Sequence, residues 1–327
     1  EVKIAKKVTN KLGIINHIIS EVKSSMILEY AAKDIRLNEG RNYIGVTFAY
    51  PIFNKLRDKV NVVFDGFALD LTLGGSYLNK ERINCKNENT LIDSISKRRI
   101  FNDVELKNLF LADYFDKVKN IPRQSIKTEF GKLKSKLPGN KSDEFFMNTH
   151  VAWMHIGDLT IRNYLEVSHP TSDNDFFDII LKIPPEWRLD HRIYKKFIKK
   201  SSPEISKIPY DKIMIRPTAP TFLWKLATVY LVVRERMKKK LYAISKGKIL
   251  LKNKRSYVAF DEWFRTDPEW QNFFKEILFD KGNISVNIIN QDYIKVLFEE
   301  QISGKRKNSL KLLYLASFKL FLKEYFS

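Results

Sequence analysis

Cysteine is almost absent. Cys85 is the single thiol in 327 residues, which excludes an intrachain disulfide framework, and no four Cys or His lie close enough for a structural zinc site. Such usage fits a reducing cytosol, and a cytoplasmic protein is expected. Long apolar runs are missing as well. The best candidate, residues 221–233, is broken by Lys225 and falls short of the about 20 residues that a membrane-crossing helix needs. No secretory leader is visible. The chain opens on Glu1 rather than Met, directly with an amphipathic pattern, as a fragment or a processed chain would. Acids are the minority charge: 38 Asp and Glu face 58 Lys and Arg, giving +20 and a pI near 9.7. Such a field can recruit nucleic acid, anionic lipid or phosphorylated small molecules, and it does not choose among them. Only 16 of the 58 cations are Arg, so the excess is mostly Lys and can reflect codon usage as readily as a binding footprint.

What is present suffices for a large core. Apolar residues make up 44% and aromatics 13% of the chain, enough for one big domain or two ordinary ones and too many for a disordered chain. Val2, Ala5, Val8 and Leu12 share one helical face, and Gly13 suits the left-handed residue that ends a helix. Residues 14–19 have strand length and composition. Ser24 and Ser25 are placed to cap a second helix through about Leu37, and residues 50–58 are expected to be helical again. Residues 60–64, closed by Asp65-Gly66, form an apolar run of the kind that a parallel sheet buries on both faces. Helix, strand, helix, strand predicts an α/β layer.

Beyond Gly75 helical periods dominate, over residues 91–99, 103–119 and 176–183. Seven of the 11 prolines lie between Pro170 and Pro220, which predicts loops and short helices there. From Leu223 onward nearly everything is helical. The last segment, residues 310–326, is apolar almost all round, with Lys311, Lys319 and Lys323 on one side, as expected of a helix docked into a core.

Glycine, scarce elsewhere, is concentrated in one place. Of 12 in the chain, Gly66, Gly74 and Gly75 fall within ten residues, directly after the predicted buried strand. Open α/β sheets bind ligands at the carboxyl ends of their strands, where glycine lets backbone approach a phosphate and a neighbouring Asp can hold a metal ion. The same glycines would also serve simply as tight turns.

The segment from Asp65 to Tyr77 resembles the second nucleotide motif of the asparagine synthetase family, Ser-Gly-Glu-Gly-x-Asp-Glu-x-x-Gly-Gly-Tyr, with Asp70 and the pair Gly74-Gly75 in register. Residues 166–173, Glu-Val-Ser-His-Pro-Thr-Ser-Asp, are similar to the family's Glu-x-Arg-x-Pro-Phe-Leu-Asp. Phe176-Phe177-Asp178 and Ile183-Pro184-Pro185 follow, as in that family. Pro203-Glu204-Ile205 before Lys212 resembles its later Pro-Glu and lysine stretch, and residues 5–17 look like the helix and strand after its first nucleotide motif.

The resemblance implies a nucleotide alpha-hydrolase-like fold, here a partial doubly wound parallel sheet over residues 1–225, with residues 226–327 as a mostly helical extension packed on it. It also implies ATP and Mg2+, a small aspartate-like carboxylate as substrate, and ammonia from a separate glutaminase or another source. Asp65 and Gly66 would lie near the nucleotide together with Gly74 and Gly75. Asp70 would face magnesium and pyrophosphate, Lys212 would stabilise phosphate charge, and Asp173 would support the wall of the site. Left to the residues alone, Asp70 also fits a helix-start carboxylate and Lys212 a solvated lysine.

Departures from the pattern matter equally. The family's Ser-Gly-Gly-x-Asp-Ser pyrophosphate loop, expected ahead of residue 1, is not in the chain, Phe67 stands where the pattern has Glu, and Ser168 where it has Arg. They motivate a second reading, a degenerate synthetase fold that serves as a binding subunit. Cys85 has no visible His and Asp set and reads as a packing cysteine. His150 and His155, five apart, do not share a helical face, whereas His169 lies inside a motif. Asp173, Asp175 and Asp178 suit either a cation or a helix start. The basic stretch 234–255, with Tyr242 and Tyr257, reads as a solvated face rather than a nucleic-acid or anionic-membrane surface, so a nucleic-acid partner is not expected.

Overall fold

Helix Val2–Lys11 forms on the predicted face, and Gly13, at φ 72°, takes the left-handed conformation beyond its end. The computed structural model describes residues 2–14, 21–97, 99–155, 158–211, 213–245 and 258–326. The strand expected at 14–19 and the lysine at 212 therefore lie outside the described residues, except for Ile14.

Helix Ser24–Asn38 places Ile27, Ala31 and Ile35 on one buried stripe at a spacing of four. Its N-cap is Lys23, without a side-chain cap; Ser24 donates instead to Asp267, at 2.5 Å. That stripe packs with Phe264, Trp270, Phe274, Leu278, Ile294, Leu312 and Leu313, so one core joins helix 24–38 to the C-terminal helices Phe260–Thr266, Pro268–Leu278, Gln291–Ile302 and Ser309–Phe326. Within the last of these, Lys319 is not on a solvated side with Lys311 and Lys323. It is fully buried, and its ammonium donates to the Leu278 carbonyl at 2.6 Å and Gln291 Oε1 at 2.9 Å, so two acceptors replace the water it gives up.

A second core gathers Leu71, Leu73, Leu91, Ile92, Phe130, Phe145, Phe146 and Ile180, with Cys85 packed against it. Helices Glu88–Ser96, Pro138–Phe146 and Asn174–Lys182 supply most of these residues. The helix expected over 103–119 is two, Asp103–Leu109 and Ala112–Val118. Phe110 is extended between them, in an antiparallel bridge to Ile289, and the Leu111 N–H donates to the Ile288 carbonyl at 3.0 Å. Tertiary pairing there overrides a helical pattern.

Val62–Phe64 (β1) and Glu166–Ser168 (β2) form a parallel pair, with Val62 opposite Glu166, Val63 opposite Val167 and Phe64 opposite Ser168. The fold is thus α/β and mostly helical. Among the described residues the sheet stops at these two strands, and for that reason β1 is not buried on both faces as expected: Phe64 is 75% exposed. Cover for such a strand comes from flanking strands and crossover helices. The run at 221–233 lies in the helix Thr221–Ile244, which leaves Phe222, Leu226, Val229, Tyr230, Val233 and Met237 exposed. No helix among the described residues is long and apolar enough to cross a membrane.

Candidate functional site

Parallel pairing of β1 with β2 brings the two sequence motifs together, since both run on from the carboxyl ends of their strands. The Asp65 N–H donates to the Ser168 carbonyl at 3.0 Å, and the Thr171 hydroxyl donates to the Phe67 carbonyl at 2.5 Å. Asp65 and Gly66 are exposed, and a Cβ added at Gly66 would meet nothing within 4 Å. Ala68, at φ 61°, is left-handed and turns the chain into the one-turn helix Leu69–Thr72, whose first turn carries Asp70 with an exposed side chain.

Gly74 and Gly75 pack rather than gape. A Cβ at Gly74 would lie 2.4 Å from the Asp70 carbonyl oxygen and 2.8 Å from His191 Nδ1, and Gly75, at φ 60°, sits against the Arg188 carbonyl. Glycine is required at both for close approach of other elements, and at Gly75 for backbone conformation as well. Behind this turn Arg188 is fully buried, donating through Nη1 to Asp143 and through Nη2 to Asn140. Burial pushes the Asp143 carboxyl up to about 7, with Arg188 pulling it back down. A charge so deep is tolerable only beside its partner.

Tyr210 links Asp70 to an aromatic and basic cluster. Burial pushes the Tyr210 phenol up, and the Asp70 carboxylate adds to the rise. Tyr210 stacks on Trp224 with centroids 6.0 Å apart and lies 6.2 Å from the His191 ring. Lys195, from helix Arg192–Ser201, sets its Nζ 3.5 Å from the Trp224 ring centroid, and burial holds its ammonium below the usual lysine range.

The expected site residues divide accordingly. Asp65, Gly66, Asp70, Gly74 and Gly75 lie on one continuous loop and turn after β1. Asp173 is drawn near by β2, but its carboxylate accepts from the Phe176 N–H at 3.1 Å and caps helix Asn174–Lys182. That is the helix-start role, and Asp175 sits in the first turn of the same helix. The neighbours of Lys212 on either side, Tyr210 and Ile215, are joined by an antiparallel bridge. His150 meets Tyr77 at 5.6 Å, whereas His155 and His169 converge on Asp158. Asp158, Lys195, Tyr210 and Trp224 belong to none of the sequence motifs. Period and spacing carry no signal for contacts between such distant segments, although an acid three residues after His155 was there to be noticed.

Neither curated proteins nor solved structures supply a significant match to this chain. The asparagine synthase family profile matches residues 1–208, a span that contains both strands, both motifs and the loop from Asp65 to Gly75. The chain belongs to the asparagine synthase family.

Proposed function

We propose that this chain supplies part of an ATP-dependent amide-forming site. There a carboxylate oxygen attacks the α-phosphorus of ATP, giving an acyl-adenylate and releasing pyrophosphate, and ammonia then attacks the acyl carbon with AMP as leaving group. The observation that carries this reading is the meeting of the two motifs at the carboxyl ends of β1 and β2, the place where open parallel sheets take nucleotides.

The residues fit a magnesium-bound nucleotide. Mg2+ is usually held by one or two carboxylates together with phosphate oxygens and water, and Asp65 and Asp70 are exposed carboxylates on the same loop. Open space at Gly66 leaves backbone accessible to a ligand. Magnesium would offset negative charge developing on the departing pyrophosphate. Lys212 is proposed to neutralise phosphate charge, and Asp173 to hold the wall by fixing the start of helix Asn174–Lys182. Phe67, in place of a carboxylate, neither accepts a proton nor carries charge, so proton transfer at that position has no part in the reaction.

The test uses protein from the full reading frame with Mg-ATP and a panel of carboxylates led by aspartate. Carboxylate-dependent pyrophosphate release is expected, and Asp70→Asn should lower it by roughly 100-fold or more, as loss of a preorganised electrostatic contact does. Absence of release with every carboxylate tried would overturn the reading.

A further inference from the structure

His155, Asp158 and His169 come from two segments and meet at a single carboxylate. His155 lies just after helix Ala152–Met154, Asp158 opens helix Asp158–Arg162, and His169 follows β2 directly. Asp158 Oδ2 is 3.0 Å from His155 Nδ1 and 2.6 Å from His169 Nε2, and the candidate donor atoms of all three side chains lie within 4.8 Å of one another. The His169 side chain is 6% exposed, that of Asp158 11%, and that of His155 32%. Phe67 closes one side, its ring centroid 4.6 Å from the His155 ring and 5.2 Å from the His169 ring.

From this geometry we infer a divalent transition-metal site of the zinc class, held by His155, Asp158 and His169, that fastens the carboxyl end of β2 to helix Asp158–Arg162 beside Phe67. Two imidazoles and one carboxylate form a donor set that suits zinc and its neighbours better than the all-oxygen shells of magnesium or calcium. With metal bonds of about 2.0–2.2 Å and tetrahedral angles, ligand atoms sit about 3.3 Å apart. Reaching that spacing widens the Asp158 contact by a few tenths of an ångström at His155 and somewhat more at His169, and requires the two ring nitrogens, which lie within 4.8 Å, to sit at about the same spacing. His155, the most open of the three, leaves a solvent-facing side for a fourth ligand. The other ring nitrogen of His169, Nδ1, is buried with no hydrogen-bond partner among the described residues, so the N–H that ligation through Nε2 requires there lacks the acceptor that ligating imidazoles usually have, and the site stands on its three ligand atoms.

This site differs from the magnesium role proposed for Asp70 in its donors and in its position, and its occupancy does not require ATP. The test titrates the metal-stripped full chain with Co2+ and follows visible absorption. One equivalent should produce the intense bands of four-coordinate Co2+, and Zn2+ should then displace them. His155→Gln and His169→Gln should each abolish the bands and weaken Zn2+ binding by at least about 10–100-fold, the loss that removal of even an outer-shell partner causes. His150→Gln should leave both unchanged. Because His169 is buried and its variant can fail to fold, His155→Gln, checked by far-UV circular dichroism, decides the matter independently. No Co2+ bands in the unmodified chain, or bands that persist in a folded His155→Gln protein, would overturn the inference and leave a hydrogen-bonded His-Asp-His cluster.

Discussion

Ala68 holds φ 61° and ψ 3° at the entrance to helix Leu69–Thr72, a backbone region where a Cβ clashes with the following carbonyl at roughly 1–2 kcal/mol. In the family motif as written, this position is the second glycine. The chain keeps the turn without the residue that makes it easy, which says how firmly the surrounding contacts, among them the Thr171 hydroxyl on the Phe67 carbonyl, hold the loop. Replacing Ala68 with Gly removes the clash and gives back part of the gain through the greater freedom of the unfolded chain. A net stabilisation of about 0.5–1 kcal/mol is therefore expected. It would appear as a higher urea midpoint with an unchanged slope, and a lower midpoint would mean that the position carries no strain.

At the scale of elements, the buried lysine of the terminal helix makes the most direct prediction. Burial pushes Lys319 down from 10.5 to about 8, with Asp280 opposing the shift. Above pH 8 the folded chain releases this proton while the unfolded chain keeps it until about 10.5. The unfolded state thus binds more protons across that window, and stability rises with pH there. Below pH 8 both states are protonated, and the cost of burying the charge is constant. Urea midpoints at pH 7.5, 9 and 10 should climb for the natural chain relative to Lys319→Met, in which the group is gone. Parallel pH profiles for the two would refute the assignment. From the sequence, helix Ser309–Phe326 was legible as a docked helix because its period of 3.6 is local. Which of its lysines turned inward was not, since the acceptors that satisfy Lys319 lie 41 and 28 residues away. In the candidate site, likewise, the loop from Asp65 to Gly75 is contiguous and could be read, whereas Tyr210, whose phenol feels the Asp70 carboxylate, meets that loop only through folding.

For the whole molecule, the arrangement of cores sets an order of opening. The parallel pair joins residues 104 apart, Val62 to Glu166 and onward, so no local pattern marked residues 166–168 as the strand partner of β1, and in the sequence they stand out only as a motif. Loop closure of that length must be held by packing on either side. Of the two cores, the one shared by helix Ser24–Asn38 and the C-terminal helices contains Phe264, Trp270, Phe274, Leu278, Leu312 and Leu313 at 0% exposure. The other supports the loop after β1, a strand with an exposed face. Local opening follows the burial and density of apolar contacts. Amide hydrogen exchange should consequently be slowest in Pro268–Leu278 and Ser309–Phe326, and distinctly faster in β1 and β2 at the same pH. With two units of unequal stability, a nucleotide and its metal bound at the strand ends would slow exchange in β1 and β2 while leaving the terminal helices unchanged, because the ligand stabilises only the states that hold its site. Equal protection of strands and helices in the free chain would instead mean one cooperative unit, in which binding at the strand ends must slow exchange throughout.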